Sequence, residues 1–170
     1  LSEGVRRRPG HFKALHSMES PFLMVSGRSG ATLTSKTFEK FLKQKVKKFE
    51  LHNKVVFKGF QNTLHWYKKS KIFVISSRFE GTPNVLLEAM AMGLPSIITS
   101  SCPGAMYYVK HGISGLIVPP ENTLALAKSI RMIVNNKNLQ KKIIQGGFKS
   151  LTSLANHRNI FKRWNQCILN

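Results

Sequence analysis

Glu80 and Glu88, with seven residues between them, lie in the run Ser76-Ser77-Arg78-Phe79-Glu80-Gly81-Thr82-Pro83-Asn84-Val85-Leu86-Leu87-Glu88-Ala89-Met90-Ala91-Met92-Gly93-Leu94-Pro95. The chain carries only seven acidic residues, all glutamate, so two in one segment concentrate a scarce charge. Glu88 is flanked by Val85, Leu86, Leu87, Ala89, Met90, Ala91 and Met92. A helix that is apolar all round is normally buried, and an unpartnered carboxylate there costs several kcal/mol or stays protonated. Glu88 is therefore expected to need a polar partner, and a bound ligand is one candidate.

The residues between the two glutamates suit an anion. Thr82 is of a type that caps a helix, and Pro83 at the first helical position wastes no N–H. The N–H groups of Asn84 and Val85 would then face outward at the positive end of the helix dipole, where phosphate binds. Gly81 lets a ligand come close to the backbone. Glu80, just before the helix, can accept hydrogen bonds from hydroxyls, and Glu88, one and a half turns along, could hold a ribose diol. The order suggests one ligand with sugar, diphosphate and ribose in a row. Many helices begin with a similar cap, so these residues alone do not identify the ligand.

The elements that must position this segment alternate along the chain. Strands are expected near 22–26, 54–58, 72–76, 96–99 and 115–120, and helices near 35–49, 64–69, 83–92, 121–135, 139–154 and 159–169, with a further one through Tyr107 and Tyr108. The helix from Pro83 is stopped by Gly93 and Pro95. Short apolar strands alternating with helices predict an α/β fold, a Rossmann-like parallel sheet flanked by helices. Ligands of such sheets bind where strands lead into helices at their carboxyl ends. The loops of interest are then 27–30, 59–62, 77–84 and 100–105.

Composition narrows the classes further. A chain of 170 residues can bury a sizeable core, and no apolar run reaches the roughly 20 residues that span a bilayer. It begins at Leu1 rather than Met and reads as a piece of a longer polypeptide. Two cysteines, Cys102 and Cys167, make neither a disulfide framework nor a zinc site, and a reducing, cytoplasmic setting is expected. With no Asp and no adjacent glutamates, a protein-built divalent metal site is not expected. The net charge of +20, from 27 Lys and Arg, favours anionic partners: a diphosphate, an acidic membrane surface or nucleic acid. Solvated helix faces such as Lys43-Gln44-Lys45-Val46-Lys47-Lys48 would give the same bias. No nucleic-acid recognition motif is visible.

The frame Ser77, Glu80, Gly81, Glu88, Ala89, Ala91, Gly93 and Pro95, followed by Gly104, Gly112 and Gly115-Leu116-Ile117-Val118, resembles the C-terminal, donor-binding domain of family-4 retaining glycosyltransferases with the GT-B fold. Val25–Gly30 and Val56-Phe57-Lys58-Gly59 occupy the places of that family's first glycine loop and Val-x-Phe-x-Gly strand. The similarity covers Pro21 to Asn135. It implies one half of a GT-B enzyme, with a nucleotide-diphosphate sugar as donor substrate, no cofactor and no metal. Glu80 would bind donor sugar hydroxyls beside the reacting carbon, as the catalytic residue. Gly27 and the backbone of Gly81, Thr82, Asn84, Val85 and Leu86 would line the sugar and diphosphate, Glu88 would hold the ribose, and Gly59-Phe60 would flank the base. Transfer with retention is described in this family as front-face attack, in which the diphosphate helps deprotonate the acceptor. That acceptor would be a glycan or lipid-linked chain in surface polysaccharide biosynthesis, met at the inner face of the cell membrane, and the N-terminal acceptor domain would be missing from this chain.

The resemblance also marks departures and sets domain bounds. The family's Arg and Lys ligands to diphosphate have no aligned counterpart; Arg6, Arg7, Arg8 and Lys13 are substitutes in type, and a basic, solvated terminus is the other reading. Ser101 stands where relatives often have Asp, and Tyr107 or Tyr108 where they have Glu. The expected organisation is a basic irregular segment over 1–20, the nucleotide-sugar domain over 21–154 and an interdomain-type helix over 155–170, with Ile160, Phe161, Trp164 and Ile168 as its apolar stripe. His65, Trp66 and His111 read as structural. The alternative function is a catalytically incomplete module that binds nucleotide or membrane.

Overall fold

The computed structural model describes residues 23–25, 33–57, 63–77 and 83–154. The basic segment over 1–20, the helix expected over 155–170, and Cys167 lie outside the described residues. The chain divides into two compact units, residues 1–63 and 64–170.

In the first unit, β1 (Leu23–Val25) pairs in parallel with β2 (Val55–Phe57), Leu23 opposite Val55 and Val25 opposite Phe57. Helix α1 (Leu33–Lys48) joins them. Its end is a Schellman motif: the Leu51 N–H donates to the Val46 carbonyl at 2.9 Å and the Glu50 N–H to the Lys47 carbonyl at 3.1 Å. Glu50 takes the left-handed position at φ 55° that glycine usually fills. The motif closes because Leu51 and Val46 are both buried, in a cluster with Val55, Phe49 and Phe57. Lysines occupy the solvent side of α1. Lys43 pairs with Glu39 at 2.7 Å across one helical turn, an exposed bridge worth about 0.3–0.5 kcal/mol.

In the second unit, β3 (Phe73–Ile75), β4 (Ser96–Thr99) and β5 (Leu116–Val118) form a parallel sheet in the order β3-β4-β5. Before it comes α2 (Thr63–Lys69), and between its strands lie α3 (Asn84–Ala91) and α4 (Pro103–Tyr108). After it come α5 (Thr123–Asn135) and α6 (Lys137–Leu154). Every residue of β4 is buried, which is what a central parallel strand covered on both faces requires. Alternation divides the core accordingly. Ile75 and Ile98 pack with Leu86, Met90, Cys102, Ala105 and Val109. Ile97, Leu116 and Val118 pack with Ile133 and Ile143. Helix α6 serves both clusters, Leu139 and Ile143 on one and Leu151 on the other.

The expected alternation is therefore present as a mixed α/β fold with a three-stranded parallel sheet flanked by helices. Two details differ. The helix expected from residue 139 starts at Lys137, because the Asn136 side chain accepts the Leu139 N–H at 2.9 Å. Asn122 caps α5 in the same way, through the Ala125 N–H at 2.9 Å. The stop after α3 is as expected: Gly93 has φ 75°, the Leu94 N–H donates to the Ala89 carbonyl and the Gly93 N–H to the Met90 carbonyl, each at 3.0 Å.

Helix α6 lies hard against the 110–115 turn. A Cβ on Gly146 would fall on the Ile113 carbonyl group and come within 3.2 Å of Ser114 Cα, whereas one on Gly147 would be in ordinary contact with the Met90 side chain at 3.5 Å and the Ser114 carbonyl at 3.9 Å. Gly146→Ala is expected to cost about 1–3 kcal/mol, seen as a fall in melting temperature of roughly 3–10 °C for a chain of this size. Gly147→Ala should match or exceed the parent, since alanine is the better helix former by about 1 kcal/mol. Thermal melts followed by circular dichroism separate the two; equal losses would contradict this close approach.

Candidate functional site

Glu88 lies within α3 (Asn84–Ala91), the helix that follows β3 along the chain. Pro83 is buried and extended, at φ −78° and ψ 100°, and serves as the N-cap. The sequence reading placed it one position later, inside the helix. The ring fixes φ near the observed value but leaves ψ free, and an extended ψ puts the first helical turn at Asn84. No side chain caps α3. The Leu86 N–H donates to the Pro83 carbonyl at 2.9 Å, so within Asn84, Val85 and Leu86 one N–H is already engaged. Thr82, Gly81 and Glu80 lie outside the described residues, as do Gly27, Gly59 and Phe60.

Glu88 is exposed. This corrects the expectation of a carboxylate sunk in an apolar helix. Helix α3 has eight residues and buries one face only, through Leu86, Ala89 and Met90. Asn84, Val85, Glu88 and Ala91 face outward. The apolar residues at Val85 and Ala91 misled the reading: they are present but not used for core packing. The partner that Glu88 was expected to need is in the protein. The Tyr67 hydroxyl lies 3.1 Å from Glu88 Oε2 and 3.2 Å from the Val85 carbonyl oxygen.

A second cluster ties the loop to the sheet. Thr99 Oγ1, Ser101 Oγ (3.1 Å) and Cys102 Sγ (3.6 Å) all donate to the Ser77 carbonyl. The single Ser101 hydroxyl proton is shared between that carbonyl and Thr99 Oγ1, at 3.1 Å. Because β3 and β4 are parallel with Ile75 opposite Ile98, Ser77 and the residues after Thr99 leave the sheet side by side. Ser101, noted in sequence only as a departure from Asp, is thus part of a polar clasp on Ser77, three residues before Glu80 in sequence.

Tyr67 and Thr99 were missed. Attention in α2 fell on His65 and Trp66, whose rings meet edge to face at 5.2 Å on a partly exposed helix. Nothing in the local sequence marked Tyr67; its significance comes from α3, 21 residues away. His111, read as a helix end, lies beyond the end of α4 at Tyr108, and its Nδ1 accepts the Ile117 N–H at 3.0 Å. Tyr107 is exposed, and the Tyr108 carbonyl accepts from Ser114 and Ser150 at 3.1 and 2.6 Å. Among the described residues there is no cluster of His, Cys, Asp or Glu that could hold a metal ion, and no helix long and apolar enough to cross a membrane.

Glu88 thus stands exposed on the helix that follows a parallel strand. Residues 11–150 match the family described as glycosyl transferases group 1. The chain belongs to that family. Among curated relatives, a Campylobacter jejuni protein named GalNAc-alpha-(1->4)-GalNAc-alpha-(1->3)-diNAcBac-PP-undecaprenol alpha-1,4-N-acetyl-D-galactosaminyltransferase is 33% identical over 104 residues. The match takes in 61% of this chain and 28% of that protein, so the chain spans under a third of the relative's length. The C-terminal domain of the Francisella tularensis group 1 protein LpcC superposes with a TM-score of 0.66 at 30% identity, over 74% of this chain and 66% of that one. Anabaena HepE in complex with UDP gives a TM-score of 0.78 at 20% identity, over 92% of this chain and 44% of that one. The fold is that of one half of the GT-B glycosyltransferases.

The clasp on Ser77 has a measurable weight. Thr99 is 4% exposed, so Thr99→Val, which keeps the shape and removes the hydroxyl, should cost about 1–2 kcal/mol in urea unfolding. Ser101→Ala, at a half-exposed position, should cost less. A neutral Thr99→Val would show that the hydroxyl does not hold the loop.

Proposed function

We propose that this chain is the donor-binding part of a retaining, metal-independent glycosyltransferase that takes its sugar from a nucleotide diphosphate. The observation that carries this reading is the placement of Glu88: exposed on α3, four residues after Asn84 at the helix start, in the family's two-glutamate frame. On this reading Glu88 holds the ribose hydroxyls and the start of α3 faces the diphosphate. The helix N-terminus supplies fixed N–H donors where charge develops on the departing diphosphate, which stabilises the transition state without a metal. Glu80 contacts the transferred sugar. The roles of Glu80, Gly81 and Thr82, and of Gly27, Gly59 and Phe60, rest on the resemblance.

The relatives support the substrate class. HepE has been crystallised with UDP and with UDP-glucose, and the name of the Campylobacter protein specifies an undecaprenol-linked glycan. A nucleotide-sugar donor, a glycan or lipid-linked acceptor and a role in surface polysaccharide assembly follow as the proposal. The net charge of +20 suits work beside an anionic membrane face.

In a binding assay with UDP- and GDP-sugars, Glu88→Ala is expected to weaken whichever donor binds by about 10- to 100-fold, the usual worth of hydrogen bonds to a charged group. Unchanged affinity would overturn the ribose role. Single-turnover transfer should be negligible with the chain alone and appear, resistant to EDTA, when an acceptor-binding domain is supplied. Full transfer by the chain alone would overturn the division of labour; donor binding without transfer in the complete enzyme would favour a binding-only module.

A further inference from the structure

We propose that Tyr67 is a positioning residue for the ligand-binding carboxylate of Glu88, an inference that rests on the donor-binding reading above. Tyr67 is 5% exposed. Its ring packs with Ala89 and Leu94, flanked by Phe73 and Met92, and meets the Phe73 ring edge-on at 5.9 Å. A phenylalanine would satisfy that packing. The added hydroxyl needs a hydrogen-bond partner at such burial, and on one edge of α3 it meets Glu88 Oε2 at 3.1 Å and the Val85 carbonyl at 3.2 Å. One hydroxyl proton is shared between these acceptors, and a carboxylate is the stronger of the two.

The consequence lies in how Glu88 meets a ligand. A glutamate on an exposed helix face has several rotamers, and ordering it on a ribose opposes binding through lost side-chain entropy. Tyr67 cannot follow such motion, since its ring is fixed between α2 and α3. Its hydroxyl therefore holds one carboxylate oxygen at a set place and narrows the rotamers from which Glu88 meets a hydroxyl pair. The buried tyrosine preorganises an exposed acid.

A double-mutant cycle on the chain tests this, with UDP and GDP and their 2′,3′-dideoxy counterparts as probes in ligand-observed NMR titrations. Tyr67→Phe, which keeps the ring, should weaken the ribonucleotide that binds by about three- to tenfold and leave the dideoxy analogue unchanged. In a Glu88→Ala background it should add nothing. Equal loss for both nucleotide forms, no loss, or a full Tyr67→Phe effect without Glu88 would each overturn the proposal and leave Tyr67 as a lock between helices. The two readings fail differently. If Glu88→Ala weakens ribonucleotide binding and Tyr67→Phe does not, only the positioning role falls. If Glu88→Ala binds as the parent does, or neither UDP nor GDP binds the parent chain, the donor site itself falls and the positioning role with it.

Discussion

Parallel pairing of β3 with β4 governs the geometry of the candidate site. With Ile75 opposite Ile98, the carboxyl ends of the two strands lie together, and their outgoing loops start as neighbours. In an antiparallel pair the same loops would leave from opposite edges of the sheet. The adjacency lets Thr99, Ser101 and Cys102 converge on the single carbonyl of Ser77. It also sends α3 back across the sheet, where Leu86 and Met90 close over Ile75 and Ile98. The register depends in turn on a central strand buried on both faces.

The same packing decides which groups remain outside. Helix α3 is short, and contact with the sheet uses only one of its faces. Glu88 is therefore left at the surface even though most of its sequence neighbours are apolar. Helix α2 brings Tyr67 up beneath that surface, with its ring in the core and its hydroxyl at the carboxylate. Packing of α2 against α3 and the polar contact at Glu88 thus come from one side chain, since the ring buried between the helices also brings its hydroxyl to the carboxylate. The close approach of α6 at Gly146 supports α3 from the other side, because α6 packs on α3 as well as on α4 and α5.

Much of the fold was legible along the chain. Short apolar runs gave β3, β4 and β5, and Gly93 with Pro95 marked the end of α3, because strand burial and helix termination depend on residues close in sequence. Boundaries were less legible. Pro83 fits either the N-cap or the first helical turn, and only ψ distinguishes them. The Schellman end of α1 was hidden because Glu50, not glycine, takes the left-handed position, held by burial of Leu51 and Val46. The site was half legible: the glutamate frame stood out, while its supports did not. Tyr67 and Thr99 are ordinary residues of a short helix and a strand until the sheet places them against Glu88 and Ser77.

By itself the sequence determined the alternation of strands and helices, the family frame around Glu80 and Glu88, and the scarcity of acid against an excess of base. These follow from residue type and local spacing, which the chain carries before it folds. Tertiary structure alone decided that Glu88 faces outward, that Tyr67 meets it, and that Ser77 is clasped from the end of β4. Each depends on which face of an element is covered by another. An apolar helix does not announce which of its residues its neighbours will bury, so the state of its one acid is a property of the packing.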